Sequence, residues 1–454
     1  MFAYKGELAM PKKKTALTIE ERLQQALVHA EEQPYEVPEN WVWVRLGSLS
    51  DVKGGKRLPK GTTFSENITK HPYIRVTDFN ATGVSLEGLK YIDEDVYEKI
   101  SRYTISSDDI YVSIAGSIGK VGIIPSCIDG ANLTENAAKI TNIKGINQKY
   151  LCMFLTSEFA QYQMQSATIA TTQAKLALFR IESLTFPLPP LSEQQRIVER
   201  IEELFAKLDE AKERLQEVAD SFAVRKAAIL HKAFTGELTK QWRRENGVSD
   251  KSWEEKKLVE ITVNHDSQRI PLSKSQRENM IHIYDYYGAS GIIDKVDDYI
   301  FEGKKLLIGE DGANLVTRSK DIAFIADGKY WVNNHAHILD VKDTVLIVYL
   351  CHYINNMDLI PYVTGSAQPK LTQAKMNNIK ILLPSLPEQH EIVRLIDDLL
   401  ARERAAQQAA EQALASIDLM KKSILARAFR GELGTNKASE ASALELLQQV
   451  LAEN

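Results

Sequence analysis

The chain repeats its own sequence at a fixed spacing. Matching motifs recur 195 residues further on, since 385 minus 190 and 424 minus 229 give the same offset. The matching segments are 190–198 with 385–393, 229–238 with 424–433, and 173–176 with 368–371. A register kept through three separated motifs indicates internal duplication, in which each copy forms one structural unit. The fold must therefore be built twice on the same plan.

The repeat also reaches into the more variable part of each half, where loops of unequal length shift the spacing. Trp41 and Leu46 correspond to Trp253 and Leu258 at the start of each half. The segment 4–8 (YKGEL) resembles the end of each helical repeat, although it lies close to the N-terminus. We therefore expect a circular arrangement, in which the two ends of the chain meet to complete a unit.

Each half ends in a helical segment with the pattern of a coiled coil. Apolar residues alternate at spacings of four and three, and an average of about 3.5 keeps one stripe facing a partner helix. The predicted seam consists of Ile197, Ile201, Leu204, Leu208, Leu215, Val218 and Phe222 in the first helix, and of Ile392, Ile396, Leu399, Ile417 and Ile424 in the second. Charges of both signs along these helices indicate a solvated face and not a DNA track.

The two seams differ in bulk. The middle of the second helix is rich in alanine, and Glu403 interrupts its apolar stripe. Because a thin face fits closely against a bulky one, we expect the two helices to pair with each other. Roughly 40 helical residues at a rise of about 1.5 Å would form a rod about 60 Å long.

These features predict an α+β fold, with two globular mixed α/β domains separated by two long antiparallel coiled-coil helices and related by an internal pseudo-twofold repeat. A chain of 454 residues exceeds one ordinary core, which agrees with several domains. The predicted segments are an N-terminal helical extension (1–36), a first globular domain (37–190), a central helical region (191–245), a second globular domain (246–385), and a distal helical region with a C-terminal tail (386–454).

Composition narrows the class of protein. With 44% hydrophobic and 26% charged residues, the chain is typical of a soluble globular protein. No stretch approaches the roughly 20 apolar residues that span a bilayer, and residues 1–14 lack the pattern of a secretory signal. Cys127, Cys152 and Cys351 are far apart, so we expect small buried hydrophobes in a reducing compartment. These observations predict a cytoplasmic protein.

We find no catalytic or metal-binding constellation in the sequence. The glycine-rich stretch 116–122 matches neither a nucleotide phosphate loop nor a dinucleotide fingerprint. His390 and Glu391 lack the second histidine of a zinc-protease helix. The Asp/Asn-Pro-Pro-Tyr/Phe motif by which adenine methyltransferases hold a flipped base is absent. His335 and His337 lie close together, but without further ligands they are typical of strand or loop residues. The prediction is a non-enzymatic chain without a metal site.

Several motifs resemble those of one protein family. The segment 189–194 (PPLSEQ) runs into the heptad helix, which closes at 233–239 (AFTGELT), and this arrangement resembles the central conserved region of type I restriction–modification specificity subunits. The segment 423–433 resembles their distal conserved region. Residues 73–79 and 287–294 are similar to stretches of their target-recognition domains. The resemblance covers nearly the whole chain.

That resemblance implies a DNA-reading subunit of a phage-defence system. Each globular domain would read one half of a bipartite site in double-stranded DNA. The paired helices would set the spacer and dock two copies of the modification methyltransferase subunit, and a restriction/translocase subunit would add cleavage. S-adenosylmethionine, ATP and magnesium would bind to those partners, and this chain would bind no cofactor of its own.

Candidate DNA contacts are basic and polar side chains on loops, because such groups bind phosphates and read base edges. In the first domain they are Lys53, Lys56, Arg57, Lys60, Arg75, Thr77, Ser113, Ser117, Lys120, Thr172 and Gln173. In the second domain they are Arg269, Lys274, Arg277, Tyr287, Ser290, Asn314, Thr317, Arg318, Gln368 and Lys370. The strongest candidate is the loop 53–61, because its glycines allow close approach of the backbone.

Two other classes of function compete with this interpretation. A formal net charge of −5 disfavours a stand-alone DNA binder, so DNA reading requires local basic loops or partners that supply phosphate contacts. A coiled-coil scaffold whose globular domains bind protein partners is the main alternative. A self-sufficient methyltransferase is disfavoured because the base-holding motif is missing.

Overall fold

A computed structural model of the protein describes residues 18–80, 83–167, 175–365 and 367–453. The chain divides into two compact units. The first unit comprises Met1–Glu213 and Leu414–Asn454, and the second comprises Arg214–Ala413. Each unit therefore combines one globular domain with parts of both long helices.

Helices and strands alternate through both globular domains. The helices are α1 (Ile19–Ala26), α2 (Glu94–Ile100), α3 (Gln148–Thr156), α4 (Glu158–Ser166), α5 (Leu178–Glu182), α6 (Leu191–Asp220), α7 (Phe222–Phe234), α8 (Lys240–Glu245), α9 (Leu258–Ile261), α10 (Lys274–Arg277), α11 (Asn314–Thr317), α12 (Ile347–Asn356), α13 (Gln373–Met376), α14 (Leu386–Ala428) and α15 (Ala443–Ala452). The strands of the first domain are β1 (Val42–Arg45), β2 (Asp51–Gly54), β3 (Pro72–Ile74), β4 (Phe79–Asn80), β5 (Gly83–Val84), β6 (Lys90–Tyr91), β7 (Thr104–Ile105), β8 (Ile110–Ser113), β9 (Val121–Gly122), β10 (Ala131–Leu133), β11 (Ala137–Thr141) and β12 (Thr185–Leu188). Those of the second domain are β13 (Glu254–Lys257), β14 (Thr262–Asn264), β15 (Tyr284–Gly288), β16 (Gly291–Val296), β17 (Phe301–Glu302), β18 (Lys305–Gly309), β19 (Ala323–Ala326), β20 (Lys329–Val332), β21 (Ala336–Val341) and β22 (Lys380–Leu383).

The two domains share one sheet topology. An antiparallel sheet has the order β2-β11-β8-β9 in the first domain and β14-β21-β18-β19 in the second. A second sheet has the order β6-β3-β10-β7 in the first and β16-β15-β20-β17 in the second, with a parallel central pair in each. A two-stranded ribbon joins the ends of each domain, as β1-β12 and β13-β22. The structure therefore confirms the α+β class and the internal repeat.

A buried tyrosine repeats at the base of each domain. The hydroxyl of Tyr150 in α3 donates to the carbonyl of Pro187, and that of Tyr349 in α12 donates to Leu382. Both rings meet a phenylalanine edge-on, Phe429 at 5.5 Å in the first unit and Phe234 at 5.6 Å in the second. Each pair joins the helix of a globular domain to the end of a long helix.

A buried carboxylate stands at the start of each long helix. Glu193 in α6 is fully buried and accepts hydrogen bonds from the Trp41 indole at 2.8 Å, the Asn436 amide at 2.8 Å and the Thr435 hydroxyl at 3.2 Å. All three donors are neutral. The first long helix is thereby tied to the segment that follows the second.

The second copy of this site uses a charged donor. Glu388 in α14 is fully buried and accepts from the Thr239 hydroxyl and the Arg243 guanidinium, both at 2.7 Å. The indole nitrogen of Trp253 and Oε2 of Glu388 are both buried without a hydrogen-bond partner, although the equivalent pair Trp41 and Glu193 is bonded. Arg243 has taken over the role that the tryptophan has in the first copy.

The long helices pair antiparallel within each unit. In the first unit Asp209 lies 2.5 Å from Lys421, and Lys212 lies 3.6 Å from Asp418. In the second unit Arg225 pairs with Glu403 at 2.6 Å, so the acidic residue that interrupts the apolar stripe has a partner across the helices. The predicted pairing of the two helices is thus confirmed in part, by ion pairs that cross between them within each unit.

The predicted seam residues are buried to different extents. Those fully or almost fully buried are Ile197, Ile201, Ile392, Ile396 and Ile417. Those partly buried are Leu204, Leu208, Leu215, Phe222, Leu399 and Ile424. Val218 is 41% exposed, so its assignment to the seam was wrong.

The first long helix has a one-residue interruption. The chain leaves regular helix at Ser221, between α6 and α7, whereas α14 runs uninterrupted for 43 residues. The Ser221 hydroxyl donates to the Val218 carbonyl at 2.9 Å, and the Arg225 guanidinium donates to the same carbonyl and to the Ser221 hydroxyl. These side-chain bonds to a helix carbonyl compete with the backbone hydrogen bonds of the helix, and they coincide with its interruption.

The two ends of the described chain meet on the first unit. Ala443 at the start of α15 donates its amide to the Asn40 carbonyl, and Arg22 of α1 donates to the Leu451 carbonyl at 3.3 Å. Leu447 and Leu451 of α15 are buried in the core of the first domain. The expected meeting of the chain ends is confirmed for these residues, while segment 4–8 lies outside the described residues.

The face that these terminal helices cover differs between the repeats. Val44 in β1 is fully buried in the core to which α1 and α15 contribute. At the equivalent positions of Val42 and Val44, β13 carries Glu254 and Lys256, which pair with each other at 2.8 Å and remain solvated. The apolar residues of β1 thus lie on a face that α1 and α15 cover. The charged residues of β13 lie on the equivalent face, which is exposed to solvent.

The cysteines differ in part from expectation. All three are free thiols, but Cys127 is exposed, so the prediction that it is buried was wrong. Burial raises the pKa of Cys152 and of Cys351 to about 12. Both thiols are therefore poor nucleophiles at neutral pH.

Replacing Glu388 by glutamine should lower the free energy of unfolding by about 2 kcal/mol, because the buried Arg243 guanidinium loses its buried carboxylate partner and keeps only the more exposed Asp250, which lies 3.1 Å away. The matched variant Glu193→Gln should cost only about 1 kcal/mol, since a glutamine can still accept from the neutral Trp41 and Asn436 donors. Chemical denaturation of both variants measures the difference. Equal losses of unfolding free energy would show that the charged Arg243 donor stabilises the second site no more than the neutral donors stabilise the first.

Candidate nucleic-acid interface

One edge of the first domain gathers basic side chains from separate loops. Lys56 and Arg57 follow β2, and Lys175 precedes α5; together they line an open pocket with Glu135. Gly55 lies so close to β10 that a Cβ would meet the Thr134 carbonyl oxygen at 2.1 Å. Only glycine fits there, so the close packing of this residue positions the basic loop.

The charges in this pocket are only partly compensated. Arg57 is 75% exposed and reaches Glu135 at 3.3 Å. The Lys56 ammonium lies 5.6 Å from the centre of the Tyr103 ring, and its backbone carbonyl accepts from the Tyr73 hydroxyl at 2.7 Å. Lys60 is exposed further along the same loop. The pocket is therefore electropositive.

A second pocket lies at the loop that follows β8. Three predicted contacts, Thr77, Ser117 and Lys120, line it together with Asn136. The Lys120 ammonium donates to the Phe79 carbonyl at 3.2 Å, which positions the side chain without neutralising its charge. The structure thus brings residues from three distant segments to one surface.

Other candidates of the first domain have internal partners. The Ser113 hydroxyl is fully buried, donates to the Ser117 carbonyl and accepts from the Lys120 amide at 2.8 Å. Its assignment as a DNA contact was therefore wrong, because its role is to shape the loop 113–120. Arg75 forms a two-pronged pair with the buried Asp78, and Lys53 lies 3.2 Å from Asp51. Thr172 and Gln173 lie outside the described residues.

The same edge of the second domain carries a network of ion pairs. Arg269 donates to Glu310 at 2.8 Å and lies 3.5 Å from Asp266, and Lys370 lies 3.2 Å from Glu310. The side chains of Arg269 and Glu310 are each only 12% exposed. Burial alone would raise the pKa of Glu310, but the hydrogen bond from Arg269 and the charge of His337 hold that pKa below its ordinary value.

His337 lies at the centre of this network. Its ring is 1% exposed, and its two nitrogens face acceptors: the Asp266 carboxylate at 2.6 Å and the Leu371 carbonyl at 2.7 Å. Burial would raise the pKa of Asp266, but His337 outweighs it and lowers that pKa. The nearby His335 binds a different carboxylate, Asp311 at 2.7 Å.

Arg318 has a structural role. The residue adopts a left-handed backbone conformation with φ of 53°. Its guanidinium donates to the carbonyls of Asn355 at 2.9 Å and Met357 at 2.8 Å, at the end of α12. Burial lowers the pKa of this side chain. Arg318 therefore satisfies carbonyls that the end of α12 leaves without partners.

The remaining candidates of the second domain lie on the short helices α10 and α11, on strand β15 and on two loops. Arg277 pairs with Asp294 at 2.7 Å and stacks over the Tyr286 ring at 4.8 Å, so it anchors its own loop. Tyr287 stacks on Phe324 with ring centres 5.8 Å apart, and Asn314 binds the backbone of Lys320. The candidates that remain exposed are Lys274, Ser290, Thr317 and Gln368.

Sequence reasoning missed the most informative residue of this surface. In the sequence Lys175 stands out only as part of the repeated segment 173–176. In the structure its backbone pairs with Ala115 and its side chain lines the basic pocket. The signal that could have found it was the match of Lys175-Leu176 to Lys370-Leu371 at the repeat spacing. The pocket lined by Lys56, Arg57 and Lys175 brings hydrogen-bond donors and positive charges together. Such an arrangement can bind an anionic ligand but offers no catalytic group.

The sequence profile of one family matches both halves of the chain. It describes the type I restriction modification DNA specificity domain, and it matches residues 38–220 and 250–413. The chain is thus a protein with two DNA-specificity domains. It belongs to the family of specificity subunits of type I restriction–modification enzymes, as the resemblance of its motifs implied. Members of this family recognise DNA and are not themselves catalytic, and the match does not favour a coiled-coil scaffold.

Several relatives align with this chain over different lengths. It is 23% identical over 455 residues to the StySPI specificity subunit of Salmonella potsdam, covering 92% of this chain and 96% of the relative. It is 33% identical over 213 residues to the EcoBI specificity subunit of Escherichia coli, covering 46% of this chain and 44% of the relative. A type I restriction enzyme specificity subunit of Haemophilus influenzae is 44% identical over 117 residues, which are 26% of this chain and 30% of the relative. The chain thus spans less than half of the last two.

Solved structures support the fold. The HsdS subunit from Thermoanaerobacter tengcongensis superposes with a TM-score of 0.63 at 20% identity, covering 88% of this chain and all of that chain. A chain from a type I restriction–modification system, studied for complex assembly and conformational transition, gives the same TM-score at 18% identity and the same coverage of both chains. In the part of the chain that the structure describes, no helix is long and apolar enough to cross a membrane.

Replacing Lys56 and Arg57 together by alanine should weaken DNA binding and reduce its dependence on salt. Each lost phosphate contact removes about 0.9 from the slope of log K against log salt, so the slope should fall by up to about 1.8. Titration of a duplex at several salt concentrations measures it, with Lys99→Ala on α2 as the control for removing a lysine elsewhere. An unchanged slope would exclude this loop from phosphate contact.

Proposed function

We propose that this chain reads a bipartite DNA target, with one globular domain for each half-site. The observation that carries this proposal is the duplication of one domain with different side chains at the same edge. Lys56, Arg57 and Lys175 occupy that edge in the first domain, whereas Arg269 and Lys370 in the second are paired with acids. Two unlike edges on one shared backbone are suited to two different base sequences.

The paired helices would act as the ruler between the half-sites. Their antiparallel pairing within each unit supports this role, since seam contacts and ion pairs such as Asp209 with Lys421 oppose sliding of one helix along the other. The length of the helices would then set the number of base pairs between the two half-sites.

Partner subunits would supply the chemistry. We expect two copies of the modification methyltransferase subunit, one for each repeat, and a restriction/translocase subunit. S-adenosylmethionine, ATP and magnesium would bind to these partners and none to this chain, and the complex would act in the cytoplasm. Family membership and the twofold repeat support this assembly.

Selection from a pool of random duplexes tests the proposed function. The chain assembled with its modification subunit should enrich one target made of two short defined segments and an undefined spacer of fixed length. Variants in the loops of one domain should alter only one of the two segments. Failure to enrich any sequence with the partner present would favour a protein-binding scaffold.

Deleting two turns from each long helix tests whether the helices set the spacer length. Removing residues 206–212 together with 418–424 deletes one heptad from each side of the antiparallel pair. Seven residues at about 1.5 Å shorten the helices by about 10 Å, or about three base pairs at about 3.4 Å each. The enriched spacer should shorten accordingly, or binding should be lost, with both half-sites unchanged.

The control deletes residues 206–212 alone, which mismatches the two seams and should impair assembly. If the double deletion changed the bases selected in either half-site, the helices would contribute to base reading and the ruler would be wrong.

A further inference from the structure

Lys175 and Lys370 occupy the same backbone position in the two repeats. Lys175 pairs with Ala115 through an isolated antiparallel bridge, and Lys370 pairs in the same way with Asp311. The next residue is a fully buried leucine in both cases, Leu176 or Leu371. Its amide donates to the carbonyl of the residue before the bridge partner, at 2.9 Å in the first domain and 2.7 Å in the second. The backbone therefore presents the two lysines in the same way.

The surroundings of Lys370 are acidic. Glu310, whose carbonyl holds the Leu371 amide, places its carboxylate 3.2 Å from the Lys370 ammonium. The same carboxylate binds Arg269 at 2.8 Å, and His337 binds the Leu371 carbonyl. Lys370 is thus joined to a buried network that holds the segment 369–371 against β21.

The surroundings of Lys175 are apolar and basic. Ile114 stands where the second domain has Glu310, and it is 3% exposed. Ala138 stands where the second domain has His337, since each lies opposite the penultimate residue of the neighbouring strand, Val112 or Ile308.

The charge of Lys175 is correspondingly free. Between residues 18 and 453, leaving aside the gaps in the description, no carboxylate lies within ion-pairing distance of the Lys175 ammonium. The carboxylate of its own pocket, Glu135, pairs with Arg57. Lys56 adds a second exposed ammonium to the same pocket.

An uncompensated lysine and a paired one act differently on DNA. A free ammonium that meets a phosphate releases a condensed counterion, which makes binding depend steeply on salt. A lysine already neutralised by a carboxylate gains little from a phosphate, because it must first give up its partner. The same sequence position can therefore serve two purposes in the two repeats.

We propose that Lys175, together with Lys56, forms a phosphate-binding site in the first domain, whereas Lys370 is a positioning residue that holds the reading edge of the second domain. This inference rests on the proposed DNA-reading function. The first domain then provides more of the salt-dependent affinity, and the second domain contributes mainly selectivity between bases.

Salt titration of the assembled complex on its selected duplex tests the first half of this proposal. Lys175→Ala should lower the slope of log K against log salt by about 0.9, and should weaken selected and unrelated duplexes alike. Lys175→Arg keeps the charge and should restore the slope. Lys99→Ala, on α2, is the control for loss of a lysine outside the pocket.

Lys370→Met and Lys370→Arg test the second half. The methionine variant should keep the wild-type slope but lose discrimination against mismatches in one half-site by about tenfold, in keeping with the cost of a poorly read base pair. Lys370→Arg should recover discrimination because arginine can still pair with Glu310. Circular dichroism at the working temperature shows that both variants are folded.

The outcomes separate the inference from the function beneath it. If the wild-type complex selects no sequence, the proposed function fails. If it selects a target but Lys175→Ala leaves the slope unchanged, or Lys370→Met lowers the slope as much as Lys175→Ala does, the proposed difference between the two domains is wrong and DNA reading stands.

Discussion

The fold depends on a carboxylate that is buried at the start of each long helix. Taking an ionised carboxylate out of water costs several kcal/mol unless donors surround it. Glu193 finds its donors in Trp41 and in Asn436, which follows the other long helix, and Glu388 finds its donors in Thr239 and Arg243. Because each carboxylate is satisfied only when these distant segments meet, it sets the register of the antiparallel pairing within its unit. The neighbouring Gln194 and Gln389 also tie the start of each long helix to its globular domain. Their side chains form hydrogen bonds with the backbone just before α3 and α12.

Much of this architecture could be predicted because it is local or periodic. The seam spacing predicted both long helices, and the offset of 195 residues predicted the repeat that the sheet orders confirm. The break at Ser221 could not be predicted, because it depends on how the Arg225 side chain folds back on its own helix while pairing with Glu403. Val218 was misassigned for the related reason that a heptad pattern assumes an unbroken helix.

The candidate site was harder to predict, because free and paired cations look alike in sequence. The loop after β2 lines one pocket of the first domain, and Thr77, Ser117 and Lys120 line another. Arg269 and Glu310 are 41 residues apart in the chain, and only the fold brings them together. Ser113 failed as a DNA contact for a similar reason, and Arg318 is bound internally in the same way. Their polar atoms bind backbone groups whose positions depend on tertiary structure.

The two repeats share the backbone contacts of this edge but differ in the side chains around it. This explains how one domain plan can serve two half-sites. In both repeats the segment that carries Lys175 or Lys370 is held by backbone hydrogen bonds and by a buried leucine. In the second repeat Glu310 and His337 stand in place of Ile114 and Ala138 and add further contacts to this segment. A buried glutamate alone would be costly, whereas Glu310 with Arg269, His337 and Lys370 is compensated. Divergence at this edge is then constrained to change several residues together.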